Sequence, residues 1–183
     1  MDRPYGMLFI SRRNSARSLM AEAVVNRLGG GHFRAYSAAV EPSKVADPLA
    51  LEVLQEAGFQ TDGLRPKHWR NFTGPEAPVL DFVFTLSNTA SREAFPDWPG
   101  KPVSSHWHYP DPVAVKGDEW QKRHGHSETL SALERQMRAF MLLSLASLDR
   151  IALKKRLDEL GTLDVVSPSE LHPNQQAIHG KIR

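Results

Sequence analysis

Apolar residues come in short blocks along the chain, separated by glycine, proline and charged stretches. Met7-Leu8-Phe9-Ile10 is continuously apolar, so residues 7–11 read as a central strand buried on both faces. Residues 18–28 have helical spacing and stop at Gly29-Gly30-Gly31. Residues 33–38 read as a second strand. Asp47-Pro48 combines a capping side chain with proline at the first helical position, and the helix behind it runs to Gly58. Residues 60–78 read as loop, with Pro66, Gly74, Pro75 and Pro78. Residues 81–86 give a third strand, 96–100 a turn, 103–106 a fourth strand, and 107–117 a loop. Leu130, Leu133, Met137, Phe140 and Met141 predict a helix over 127–145, and a further helix over 148–160 ends at Gly161. Pro168, Pro173 and Gly180 predict an irregular tail from Thr162.

Strands alternating with helices imply a parallel, doubly wound sheet. Ligands of such sheets bind beyond the carboxyl ends of the strands. The loops after residue 10, around Ser87 and over 107–117 all follow strands, so they should gather at one end. The first of these, Ser11-Arg12-Arg13-Asn14-Ser15-Ala16-Arg17-Ser18, runs from a buried strand into a helix start. Free amides of a first helical turn and the helix dipole favour an anion there. Arg17 adds a planar fork of donors suited to a tetrahedral oxyanion.

Composition changes the picture at one point. The 183 residues, 40% hydrophobic, suit one domain with an appendage, expected as 1–150 and 151–183. A net charge of +2, from 23 basic and 21 acidic residues, argues against bulk nucleic-acid or membrane binding. The start of the chain lacks a signal-peptide pattern and no stretch reaches membrane-spanning length, so a cytoplasmic protein is the expectation. The chain contains no cysteine, which excludes disulfides, thiolate catalysis and thiolate-bound metal.

The stretch Asn14-Ser15-Ala16-Arg17-Ser18-Leu19-Met20-Ala21-Glu22-Ala23 resembles the loop and helix of the low-molecular-weight protein tyrosine phosphatase superfamily. Residues 33–38, 48–51, 80–85, His106-Trp107 and Pro110-Asp111-Pro112 carry the resemblance on, in order, through about residue 150. The match is nearer to the arsenate reductase branch of that superfamily. It implies a three-layer α/β/α fold with a four-stranded parallel sheet in flavodoxin-like winding, plus a C-terminal helical extension. It also implies roles. In the family a loop cysteine attacks phosphorus or arsenic, an arginine clamps the equatorial oxygens, and a late aspartate protonates the leaving group. Arg17 matches the clamp, Asp111 the acid, Ser18 the hydroxyl beside the nucleophile and Asn14 the loop-shaping residue. Arg12, Arg13, Ser15 and Ala16 complete the oxyanion loop, and Ser11 falls on the nucleophile position. Ser87 and Phe95 fall where the reductases carry their two further redox cysteines.

The missing thiols decide the chemistry. A cysteine in such a loop is a thiolate at neutral pH. A hydroxyl, about as weak an acid as water, would need about 12 kcal/mol to form its anion at pH 7. A helix dipole and one arginine supply a few kcal/mol of that. A serine nucleophile therefore requires a base or a metal, neither of which the resemblance implies. Two origins fit Ser11: natural loss of the thiol, or an introduced Cys-to-Ser change, which would leave Phe95 unexplained.

The expected function is retention of a tetrahedral oxyanion (phosphate, sulfate or arsenate) or a phosphorylated ligand, with no cofactor and without thiol chemistry. One alternative is a residual phosphatase or arsenate reductase-type enzyme using Ser11, water or a metal with Asp111. Another is a non-catalytic interaction module. His106, His108, His124 and His126 form two His-x-His pairs, the pattern a metal reading would use, although no metal is expected. The 127–145 helix face reads as core, with a homodimer surface as the alternative. Residues 150–156 read as a solvated basic face, and Trp69, Trp98, Trp107 and Trp120 as rim aromatics, Trp107 with the strongest case because it is close to Asp111.

Overall fold

A computed structural model of the chain describes residues 3–162. The expected tail from 163 onward lies outside the described residues. Four strands, β1 (Tyr5–Ser11), β2 (Phe33–Ala39), β3 (Phe82–Thr85) and β4 (Val103–His106), form one sheet in the order β2-β1-β3-β4. All three pairings are parallel. The helices are α1 (Arg17–Leu28), α2 (Pro48–Glu56), α3 (Asn88–Ser91), α4 (Glu119–Met141) and α5 (Arg150–Gly161). The chain leaves β1 for β2 on one side of it and returns to β3 on the other. The crevice at that switch point opens between Ser11 and Thr85, as the doubly wound reading requires.

The two faces of the sheet are covered unequally. Met7, Phe9, Phe82 and Phe84 point into a core shared with residues of α1, α2, α4 and α5. Leu8, Ile10 and Val83 face a thinner layer made by Trp69, Phe72, Ala90 and Trp98. A single 3-10 turn, Trp69–Phe72, and the one-turn α3 are the only helical pieces of this second layer among the described residues. Phe95 packs on it edge-on to Trp69 at 5.4 Å, so the position where the resemblance implied a redox cysteine holds a packing aromatic.

Several boundaries differ from expectation for definable reasons. Helix α4 begins at Glu119 rather than 127 and ends at Met141 rather than 145. Its first two turns are polar and exposed, so they carry no apolar period. They are held instead by a capping box between Asp118 and Gln121 and by Arg123 reaching Glu52 and Glu56 on α2. The alternative homodimer surface is corrected here: Leu130, Leu133, Met137 and Phe140 are buried inside the chain. Helix α5, expected in an appendage, buries Leu153 and Leu157 in the same core. It lies against β4, and Gly161 lets it approach closely, since a Cβ there would stand 2.5 Å from Trp107 Cδ1. The basic run of α5 is solvated and pairs with Asp158 and Glu159 along its own helix.

Candidate oxyanion site

The 11–18 loop is built by hydrogen bonds on its outer side. Val40, Glu41, Ser43 and Asp47 donate their amides to the carbonyls of Ser11, Arg12, Arg13 and Ser15 at 3.3, 2.8, 3.0 and 2.9 Å. The segment after β2 thus continues the sheet pairing along the loop and commits its carbonyls. The amides of Arg12, Arg13, Ser15 and Ala16 donate to no protein acceptor among the described residues. Helix α1 starts directly behind them, and its cap residue, Ala16, has no side chain able to satisfy the first turn. Every other described helix is capped by a side chain: Asp47, Ser87, Asp118 and Asp149 accept from the amides of α2, α3, α4 and α5 respectively.

Three buried polar side chains line the base of the loop. Ser11 Oγ accepts from the Asn14 amide at 3.1 Å and lies 2.8 Å from Ser18 Oγ. Asn14 donates Nδ2 to Ser18 Oγ at 2.8 Å, and its Oδ1 accepts from the Lys67 amide at 2.8 Å. Asn14 holds φ 50°, a left-handed conformation that asparagine tolerates better than most residues. Ser11, Asn14 and Ser18 are all buried.

Arg17 sits at the first position of α1 and is 8% exposed. It donates Nη1 to the Tyr109 carbonyl and Nη2 to Asp111 Oδ2, both at 2.9 Å. Burial pulls its guanidinium below the ordinary range, and Asp111 acts in the opposite sense. Asp111 comes from the loop after β4, where Oδ1 also caps the 3-10 turn Pro112–Ala114 through the Val113 amide at 3.2 Å. Tyr109, fully buried behind it, donates its hydroxyl to Gln136; burial holds that hydroxyl well above its ordinary pKa, with Arg135 opposing. Arg12 and Arg13 stand exposed at the mouth, Arg12 paired with Glu41 at 3.1 Å.

The structure therefore brings Ser11, Asn14, Ser18, Arg17 and Asp111 together, although the last lies 94 positions from Arg17. It does not bring Ser87 into the ring. That hydroxyl accepts from the Ala90 amide at 3.2 Å as the cap of α3. Trp107 is corrected from rim to core. It continues the alternation of β4 inward, packs 4.3 Å from Phe84 and donates Nε1 to the Leu157 carbonyl. Trp69 and Trp98 lie in the second core layer, and Trp120 is exposed, stacked on His124.

Sequence reasoning missed the supports behind the loop. Lys67 holds Asn14 through its backbone and pairs its amine with Glu22 at 3.3 Å, while Ser37 donates to the same carboxylate. His126 is 2% exposed and places Nε2 3.0 Å from Asp47 Oδ1, with Nδ1 2.8 Å from the Lys122 carbonyl. Asp47 is the residue whose amide holds Ser15. Its Asp-Pro signature was legible as a cap, but its second task depends on a register that only the fold sets. No group of three or more His, Cys, Asp or Glu among the described residues could hold a metal ion. The paired histidines are divided among separate tasks, with His106 bonded to Thr85 and His126 to Asp47.

The sheet order and the loop without a side-chain cap after the first strand can be set beside known proteins. The sequence profile of the low molecular weight phosphotyrosine protein phosphatase family matches residues 6–156, and the chain belongs to that family, on its arsenate reductase-like branch. It is 29% identical over 106 residues to the glutaredoxin arsenate reductase of Synechocystis, covering 58% of this chain and 77% of that one. It is 30% identical over 118 residues to arsenate reductase 2 of Staphylococcus haemolyticus, covering 62% and 83%. Among solved structures, an arsenate reductase in its phosphate-binding state superposes with TM-score 0.58 at 21% identity, covering 75% of this chain and 96% of that one. The tyrosine phosphatase Wzb of Escherichia coli K30, in complex with sulphate, superposes with TM-score 0.57 at 23% identity, covering 74% and 95%. These two likenesses speak for the fold. No described helix is long and apolar enough to cross a membrane.

Proposed function

We propose that this chain holds a tetrahedral oxyanion, phosphate or arsenate above all, or the phosphoryl end of a larger ligand, in the 11–18 loop, and that it does so without thiol catalysis. The observation that carries this reading is the start of α1. It is the one described helix without a side-chain cap, and unpartnered loop amides and a buried arginine meet there. A bound oxyanion would satisfy those donors. Ser11 fits a donor's role. Asn14 Nδ2 bonds Ser18, Ser18 can pass its hydrogen to Ser11, and the Ser11 hydrogen is then left for the anion. Proton removal from Ser11 lacks a partner, because its two described neighbours, the Asn14 amide and the Ser18 hydroxyl, are not bases. That favours retention over the residual-enzyme reading. The absence of cysteine from the chain also leaves no disulfide relay for arsenate reduction.

Thermal unfolding with and without phosphate or arsenate tests the reading. Anion should raise the midpoint in the native chain and leave it unmoved in Arg17→Ala; no shift in the native chain at saturating anion would overturn it. Turnover of an aryl phosphate should be flat in the native chain and appear in Ser11→Cys, where the loop would stabilise a thiolate.

A further inference from the structure

His126, on α4, is 2% exposed, and both of its ring nitrogens face acceptors. Nδ1 stands 2.8 Å from the Lys122 carbonyl and Nε2 3.0 Å from Asp47 Oδ1. A neutral imidazole has one hydrogen and can serve one of them, so two acceptors require a hydrogen on each nitrogen. Asp47 Oδ1 also accepts from the Ala50 amide at the start of α2, where the helix dipole favours an ionised carboxylate. The proton shared by the pair therefore rests on the ring, and His126 is a buried imidazolium. Other charged groups on the elements packed against α4 have partners of their own: Arg17 has Asp111, Glu22 has Lys67, and Glu52 and Glu56 have Arg123. Arg27 of α1 donates to the Ala57 carbonyl. Asp47 is the counter-charge at the ring. His124, two residues away, is exposed and pairs with Glu128.

Asp47 joins that charge to the anion loop. Its amide donates to the Ser15 carbonyl at 2.9 Å, the last of the four strap bonds that tie the loop's carbonyls outward. The carboxylate of the same residue is what His126 holds. The bond to Lys122 spans one turn of α4 and is kept by the helix backbone. When the ring gives up its proton, the loss falls on the other side: a lone pair faces the Asp47 carboxylate, and the cost of that unmade bond displaces Asp47. We propose that His126 is a positioning residue of the oxyanion loop, and that its proton sets how firmly the loop holds an anion. The proposal rests on the oxyanion reading and adds its regulation. The anion is held while His126 is charged and is released as pH rises through the range in which histidine changes charge. By linkage, a bound anion also holds the proton on His126. His126 acts through Asp47, not on the anion itself.

Two readouts on the full chain test it. The first is calorimetric titration at fixed ionic strength with sulfate, whose own charge is constant between about pH 5 and 8. The native chain should lose about tenfold or more in sulfate affinity from the acid to the alkaline end, the worth of one hydrogen bond to a charged group. His126→Gln, which cannot change charge, and Asp47→Asn, which keeps a capping side chain, should both flatten that loss. His124→Gln should keep it. Unfolding midpoints without anion check that each variant is folded. The second readout is NMR of the histidine ring nitrogens in the native chain, which depends on no variant. Both nitrogens of His126 should carry hydrogens at the acid end, and saturating sulfate should keep them there to a higher pH. A native affinity that is flat with pH, a loss that survives both His126→Gln and Asp47→Asn, or a His126 titration that sulfate leaves unmoved would overturn the proton control and leave the cradle standing. Failure of the native chain to bind sulfate or inorganic phosphate at either end of the range would remove the cradle itself.

Discussion

Ser11 closes β1, and Ser87 stands just beyond the end of β3, at the same end of the sheet. Both are buried, and the resemblance implied a cysteine at each place, yet the fold gives them different surroundings. Ser87 caps α3 and its hydroxyl is engaged by the Ala90 amide, so that helix start is closed. Ser11 caps nothing. It lies at the base of a loop whose carbonyls are tied outward and whose amides stay unpartnered, ahead of a helix that begins on alanine. A residue type that is satisfied locally ends a backbone problem, whereas one placed under unsatisfied donors leaves that problem for a ligand to solve. The difference lies in what the segment 40–47 does to the first loop: it takes four of its carbonyls, whereas beyond β3 the segment after β4 takes that of Leu86 alone, through the Tyr109 amide, among the described residues.

The sharpest way to break this contrast is at Asn14. Asn14→Ala loses two side-chain hydrogen bonds at the base of the loop and leaves a left-handed conformation that alanine tolerates less well than asparagine. Chemical denaturation should show a loss of about 3 kcal/mol, with anion protection abolished. Asn14→Gly relieves the backbone and should recover about 1 kcal/mol of that without restoring anion protection.

Cysteine makes the contrast visible in one spectroscopic quantity. The thiolate absorbance of Ser11→Cys, titrated with acid, should persist to a pH well below that of Ser87→Cys. The former would sit among free amides beside Arg17 and the latter at a helix of a single turn. Coincident titrations would mean that the free amides of the first loop do not stabilise negative charge.

Smaller effects separate stability from binding. Ser87→Ala removes the α3 cap and should cost about 1 kcal/mol in denaturation while leaving phosphate protection intact. The weakest lever is His106, at the end of β4. Burial lowers its pKa, the hydrogen bond it donates to the Thr85 carbonyl opposes this, and the charge of His108 adds to the lowering. The folded chain therefore favours neutral His106. Its contribution is complete above the unfolded histidine pKa of about 6.5 and is lost as pH falls below that toward the folded value. His106→Gln should flatten the decline of stability over that window, read from urea midpoints between neutral and mildly acid pH.

Much of this was readable in local pattern. The continuous apolar run at 7–10, the glycine stop at 29–31, the Asp47-Pro48 helix start and the period through Phe140 each report a local physical demand, and each appears as an element. The polar start of α4 was not readable as helix, because capping and ion pairs with α2 hold it in place of an apolar face. Within the site, the loop and Arg17 were legible from strand–loop–helix order alone, and Asp111 entered only through resemblance. Lys67, Asp47 and His126 were opaque as site residues, since nothing in their neighbourhoods marks them for the loop.

The sequence by itself determined that thiol chemistry is absent, that a strand-to-helix loop carrying Arg17 precedes the first helix, and that a parallel sheet carries it, because each follows from residue identity or short-range spacing. The tertiary structure decided which groups that loop keeps free and which it satisfies. Strand register set the strap along its carbonyls, and parallel pairing brought Asp111 against Arg17 across 94 positions. Hydrogen-bond satisfaction is a property of what the whole fold brings within 3 Å, which is why it could not be read along the chain.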